Sequence, residues 1–145
     1  MADRKTVLVV DDNEELLASV QLSMKYFGDF VVETARDGVE GLTKVMDSRP
    51  DCVVIDVVMP GLDGLQLVRA IRGDPETATI PLVILSALAQ PVDMMRGFVS
   101  GVDQYLHKPL DPQALVQAIQ TAFTFSPEDR QRAAAALLEE DFPST

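Results

Sequence analysis

The chain has 145 residues, enough for one domain with its own core, so neither disulfides nor a structural metal is needed to hold it together. Hydrophobic residues make up 47% and charged residues 24%, which excludes a wholly disordered chain. The net charge is −11, and the acidic excess is shared by residues 1–125 and the tail 126–145; such a field argues against direct nucleic-acid binding and against an anionic membrane surface.

Cys52 is the only cysteine, so an intramolecular disulfide and a thiolate metal cluster are both excluded. It lies in the apolar run Cys52-Val53-Val54-Ile55 and reads as a buried, inert thiol. A strand-like run begins by Thr6, which leaves no room for a secretory signal, and no apolar stretch approaches a membrane span. The cytoplasm is the expected location.

Five strand-like runs alternate with helical patterns: Thr6–Val10, Phe30–Thr34, Cys52–Asp56, Leu82–Ser86 and Gln104–His107. The first, third and fourth are almost continuously apolar and rich in Val and Ile, as in strands buried on both faces of a parallel sheet. Helical periodicity covers Asn13–Phe27, Val39–Asp47 after Asp37-Gly38, and Leu65–Arg72 after the turn Pro60-Gly61-Leu62-Asp63-Gly64. A fourth helix starts at Pro91 and ends before Gly101. A fifth follows the cap Asp111-Pro112 and runs to about Phe123. Five strands each followed by a helix give a (βα)5 order, hence an α/β fold with a parallel sheet and helices on both faces.

The tail is separate, giving a division into residues 1–125 and a C-terminal helical extension, 126–145. Ser126-Pro127-Glu128-Asp129 reads as a cap, a first-turn proline and first-turn acids, with Arg130–Glu140 continuing the helix. Glu128 and Arg132 are spaced for an ion pair, and Leu138 and Phe142 for an apolar contact. Packing on its own domain and a dimerisation or linker role are equally compatible with this pattern.

In open α/β sheets the site lies outside the carboxyl ends of the strands. Asp11 and Asp12 follow the first strand, Asp56 ends the third, Ser86 ends the fourth, and Lys108 lies just past the fifth. A lone strand-end Asp is most simply a helix cap, but three carboxylates, a hydroxyl and an ammonium share this edge. Clustered carboxylates need a cation, and oxygen-only ligands favour Mg2+ with a phosphoryl group as co-ligand. Asp56 is then the natural nucleophile, since carboxylates form aspartyl phosphates.

Val9-Val10-Asp11-Asp12-Asn13, Val54-Ile55-Asp56-Val57-Val58-Met59-Pro60-Gly61-Leu62-Asp63-Gly64, Leu85-Ser86-Ala87 and Tyr105-Leu106-His107-Lys108-Pro109 resemble, in order and at family spacing, the receiver domain of two-component response regulators of the chemotaxis-regulator type. Ala35-Arg36-Asp37-Gly38-Val39-Glu40-Gly41-Leu42 is similar to that family's entry to the second helix, and the resemblance covers residues 5–124. It implies a doubly wound, flavodoxin-like sheet of order 2-1-3-4-5, here with an extra C-terminal helix. It also implies Asp56 as phosphoacceptor, and Asp11, Asp12, Asp56 and the backbone carbonyl of Val58 as Mg2+ ligands. Ser86 would be the switch hydroxyl and Lys108 the phosphoryl partner. Tyr105 would be an aromatic switch that turns inward on activation, and the Lys108–Pro109 bond would be cis. The implied partners are a sensor histidine kinase or phosphotransfer protein, and a downstream protein or second copy that reads the face of the fourth helix, fifth strand and fifth helix. Such a protein is a regulator with at most self-phosphorylation and self-dephosphorylation activity.

Several residues depart from the family's habits. Val58 and Leu88 stand where receivers often carry polar side chains that position an attacking water, so slow self-dephosphorylation is expected. The fifth helix has no Lys or Arg, and Gln104 stands where an acid is common, which argues against the dimer mode of winged-helix transcription factors. His107, the only histidine, is expected outward and solvated. Met94 and Met95 suit either packing or an adaptable binding surface.

Competing activities are poorly supported. A dehalogenase-type phosphatase wants an acid two residues after its nucleophile, where Val58 stands; a nucleotide-binding loop is absent, and acids replace the phosphate loop of a flavin site. A pseudo-receiver would lack a core residue, and none is missing. A stand-alone receiver and a piece of a longer regulator both remain consistent with the sequence.

Overall fold

The computed structural model describes residues 4–141, the last two by backbone alone. The elements run β1 (Lys5–Val10), α1 (Glu14–Phe27), β2 (Phe30–Ala35), α2 (Gly38–Ser48), β3 (Cys52–Ile55), α3 (Gly64–Gly73), β4 (Leu82–Ser86), α4 (Pro91–Ser100), β5 (Gln104–His107), α5 (Pro112–Ala122) and α6 (Pro127–Asp141). All pairings are parallel, and the sheet order is β2-β1-β3-β4-β5. The expected elements are all present, with ends shifted by a residue or so. β3 stops at Ile55, one residue before the expected end, which makes Asp56 the first residue of the loop.

Strand side chains alternate between two cores, as the period of two requires. Val7, Val9, Cys52, Val54, Val83 and Leu85 face α1 and α5, meeting Leu17, Val20, Met24, Leu115 and Ile119. Leu8, Val10, Val53, Ile55, Leu82 and Ile84 face the other side, against Val45, Leu67, Val68 and Ile71. Met94 of α4 packs against this second cluster, so its role includes packing. Cys52 is fully buried, and desolvation pushes its thiol well above the ordinary range, which makes it inert.

The helix starts are fixed by side-chain caps. Asn13 caps α1, Asp37 caps α2, Asp63 and Gln66 form a capping box on α3, and Asp111 caps α5. At α6, the Ser126 hydroxyl accepts from the Asp129 amide at 3.1 Å, and the Asp129 carboxylate accepts from the Ser126 amide at 2.9 Å. Arg132 pairs with Asp129, three residues back, rather than with Glu128; this is the same carboxylate that accepts from the Ser126 amide. Phe142, expected beside Leu138, lies outside the described residues; Leu138 itself is exposed.

α6 packs along α4 of its own domain. Among the described residues no helix is long and apolar enough to cross a membrane.

Gly64 carries the tightest backbone approach near the sheet edge. A Cβ there would collide with the Asp56 carbonyl oxygen and lie 2.7 Å from the Val57 Cα. Gly64→Ala therefore forces the loop after β3 to move. We expect it to cost about 1–3 kcal/mol in a urea melt, in line with overpacking of a filled site. An unchanged melting midpoint would show that this approach is not needed.

Candidate functional site

The site is assembled by strand register. β1 and β3 pair Val10 with Ile55, so the next residues, Asp11 and Asp56, emerge side by side. The Asp56 amide continues the ladder onto the Val10 carbonyl at 3.0 Å, and the Asp11 amide onto the Ala35 carbonyl at 3.0 Å. β4 and β5 pair Ser86 with His107, and the Lys108 amide then donates to the Ser86 carbonyl at 2.8 Å. Four residues far apart in sequence thus leave the same edge in consecutive register.

Their side chains meet. The Lys108 ammonium lies 3.0 Å from Asp11 Oδ2 and 3.0 Å from Asp56 Oδ2. Asp11 and Asp56 are buried and Asp12 is exposed, yet one oxygen from each lies within 4.8 Å of the others. Asp11 Oδ1 also accepts from the Asn13 amide at 2.9 Å, and Asp56 Oδ1 from the Val58 amide at 3.3 Å. Desolvation holds the Asp11 carboxyl above its ordinary range, against the opposing pull of the Asn13 amide and Lys108. For Lys108, burial acts to lower the ammonium pKa, but its hydrogen bonds to Asp11 and Asp56 outweigh that and raise it.

Three carboxylates and one ammonium leave a net negative pocket whose metal-donor atoms are all oxygens. That donor set fits a hard divalent cation, with the exposed Asp12 as the ligand most open to solvent.

Ser86 is fully buried, and its Oγ accepts from the Leu88 amide at 3.3 Å. Tyr105 is only 8% exposed, and its hydroxyl donates to the Leu88 carbonyl at 2.8 Å. The aromatic ring expected to turn inward on activation already lies inside. Burial raises its phenol to about 12, so it stays protonated and able to donate. His107 is exposed as expected, its ring edge-on to Tyr105 at 5.7 Å. The Lys108–Pro109 bond is cis. Val58 is 60% exposed beside the carboxylates, and Leu88 is half-buried; neither side chain offers a group to orient a water.

A second charged cluster was not foreseen. Asp103, just before β5, is buried and accepts from the Leu82 amide at 2.8 Å, Arg72 at 3.0 Å and Arg130 at 2.6 Å. The sequence shows a lone acid after Gly101-Val102, with nothing local to reveal two distant arginines.

The sequence pattern of the "Response regulator receiver domain" family matches residues 7–120. The transcriptional regulatory protein CseB of Streptomyces coelicolor is 40% identical over 119 residues, covering 82% of this chain and 49% of CseB. The gliding motility regulatory protein of Myxococcus xanthus is 43% identical over 119 residues, 81% of this chain but 15% of that protein. The chain thus spans half or less of the length of these two relatives. Among solved structures, a putative response regulator from Chloroflexus aurantiacus superposes with a TM-score of 0.79 at 32% identity, covering 84% of this chain and 99% of that one. The chemotaxis protein CheY4 of Vibrio cholerae superposes at 0.77 with 31% identity, over 83% of this chain and 99% of its own. Register, carboxylate cluster and family pattern agree: the chain belongs to the response regulator receiver domain family.

Proposed function

We propose that the chain is a phosphorylation-dependent switch in which Asp56 accepts a phosphoryl group from a phosphohistidine of a sensor kinase or phosphotransfer protein. The observation that carries this is the paired hold on Asp56: one oxygen is 3.0 Å from the Lys108 ammonium, the other 3.3 Å from the Val58 amide. Asp11 and Asp12 stand beside it.

In the transfer, an Asp56 carboxylate oxygen attacks phosphorus as the bond from phosphorus to the donor imidazole breaks, and the donor leaves as a neutral histidine once protonated. Asp11, Asp12, Asp56 and the Val58 carbonyl would hold Mg2+, whose charge offsets that of the phosphoryl oxygens. Lys108 lies within reach of the same oxygens and keeps the carboxylates together before the donor arrives. The Ser86 hydroxyl would donate a hydrogen bond to the new phosphoryl oxygen. Through the Leu88 peptide that change reaches Tyr105, and the face of α4, β5 and α5 is then read by a partner. This is regulation by population shift rather than turnover of a substrate. A cytoplasmic setting follows from the donor.

A second reading places this receiver within a longer regulator, since it matches 49% of CseB, a protein named for transcriptional regulation. The division into residues 1–125 and an extension from 126 is part of this proposal. The family match ends at residue 120, before α6 begins.

Acetyl phosphate with Mg2+ is expected to add one phosphoryl group to the intact mass, abolished by EDTA and by Asp56→Asn. An adduct that persists in Asp56→Asn would overturn the assignment.

The apolar Val58 and Leu88 predict a phosphoryl lifetime of minutes or longer in Mg2+ buffer. A half-life of seconds, measured by the decay of that adduct, would refute the slow-hydrolysis reading.

Lys108→Met should cost about 3–5 kcal/mol in Mg2+-free denaturant melts, because it strips the counter-charge from two buried carboxylates. Added Mg2+ should restore part of the loss. If the variant melts like the parent with and without Mg2+, Lys108 does not hold the carboxylates together.

A further inference from the structure

We propose that α6 is a lock, acting within its own chain, on the Tyr105 switch: it packs along α4, and its docking holds Tyr105 in the buried position. The link to Asp56 rests on the function proposed above, whereas the link to Tyr105 stands without it.

The docked face of α6 is legible in its exposure. Ser126, Asp129, Arg130, Ala133, Ala134 and Leu137 are half-buried, while Gln131, Arg132, Ala135, Ala136 and Leu138 are exposed. That is one helical stripe, and α4 is the element it covers. Small side chains at 133 and 134 allow the two helices to approach closely. At the entry to α6, the Phe125 ring meets Phe98 of α4, centroids 6.4 Å apart.

A buried charge fixes the position along the helix. Arg130 is 19% exposed and reaches Asp103 Oδ1 at 2.6 Å. Asp103 Oδ2 is already paired with Arg72 and the Leu82 amide. Asp103 therefore has a full charge partner within residues 72–103, and Arg130 serves the attachment of α6.

α4 also rests on the switch, through Gly97. A Cβ on Gly97 would lie 3.0 Å from the Tyr105 ring and 3.3 Å from Ile84. α4 thus touches Tyr105 at Gly97 and the entry to α6 at Phe98. Outward movement of Tyr105 would disturb α4, and α4 cannot shift freely while Arg130 and Phe125 hold α6 against it. Tyr105 in turn shares the Leu88 peptide with Ser86, its hydroxyl on the carbonyl and Ser86 Oγ on the amide. The lock makes docking of α6 and burial of Tyr105 favour one another, and coupling between two sites is reciprocal.

The sequence supplies a clean reporter. It has no tryptophan and two tyrosines, and Tyr26 is 79% exposed on α1. In the full chain carrying Tyr26→Phe, Tyr105 is the only tyrosine. Two undocking variants are compared with this parent: Arg130→Ala, and Ala134→Glu, which leaves the Asp103 cluster intact. Both should speed hydrogen exchange of the α6 amides by roughly tenfold. Both should also raise acrylamide quenching of Tyr105 fluorescence by about twofold. Faster α6 exchange with unchanged quenching would overturn the proposal, as would α6 exchange that neither variant alters. Protection of α6 that rises with protein concentration would place α6 on a second copy and overturn a lock within the chain.

Beryllofluoride with Mg2+, a phosphoryl mimic, gives the second arm. It should slow exchange at residues 57–59 and in α6, and the two variants should bind it more weakly by the same factor. Protection at residues 57–59 without any change in α6 would sever the lock from the site. Absence of protection at residues 57–59 would count against the Asp56 reading alone, and the tyrosine measurement would still decide the lock.

Discussion

Carboxylates that leave adjacent strands in register repel one another, and the Lys108 ammonium is the counter-charge that lets Asp11 and Asp56 sit side by side while buried. It stands 3.0 Å from each. Its position depends on the sheet: β5 must pair with β4 so that Lys108 follows His107 past the edge, and β1 must pair with β3 so that the two acids emerge together. Every crossover helix serves this register, because a one-residue slip in any strand would turn a site residue to the opposite face. The close packing of Gly64 under the Asp56 carbonyl sets the remaining degree of freedom, the path of the chain after β3.

The same arrangement explains why one ammonium is not enough. It contacts two carboxylates and leaves Asp12 exposed beside them, so the pocket keeps an excess of negative charge. Such a pocket resists an anionic phosphoryl donor until a cation offsets the charge. Under the proposed function, binding of a divalent cation and acceptance of a phosphoryl group would therefore be linked by electrostatics before any contact with a partner.

Much of this was legible in the sequence, because the informative signals are local. Strand runs such as Val7–Val10 and Val53–Ile55 carry their own burial pattern, caps such as Asp37 and Asp63 stand at the helix starts, and each site residue sits at a strand end. What escaped was long-range or conformational. Nothing near Asp103 announces Arg72 and Arg130, which reach it across 31 and 27 residues of chain. Arg132 had two acids within reach, and the one already held by the cap on Ser126 took it. The orientation of Tyr105 depends on a partner, the Leu88 carbonyl, that exists only once the loop after β4 is folded.

Asp103 and Asp56 place two buried charges at opposite ends of one half of the sheet, and each recruits a cation from outside its own strand. At Asp56 the cation is Lys108, which follows β5; at Asp103 it is Arg72 of α3, joined by Arg130 of α6. β5 and α4 lie between the two clusters, with Tyr105 against Gly97 as their common contact. A charge change at the first cluster and a helix movement at the second therefore act on the same packed pair. Because packed interiors adopt discrete arrangements rather than deforming continuously, this pair is the physical route through which the proposed phosphorylation of Asp56 and the docking of α6 would bias one another.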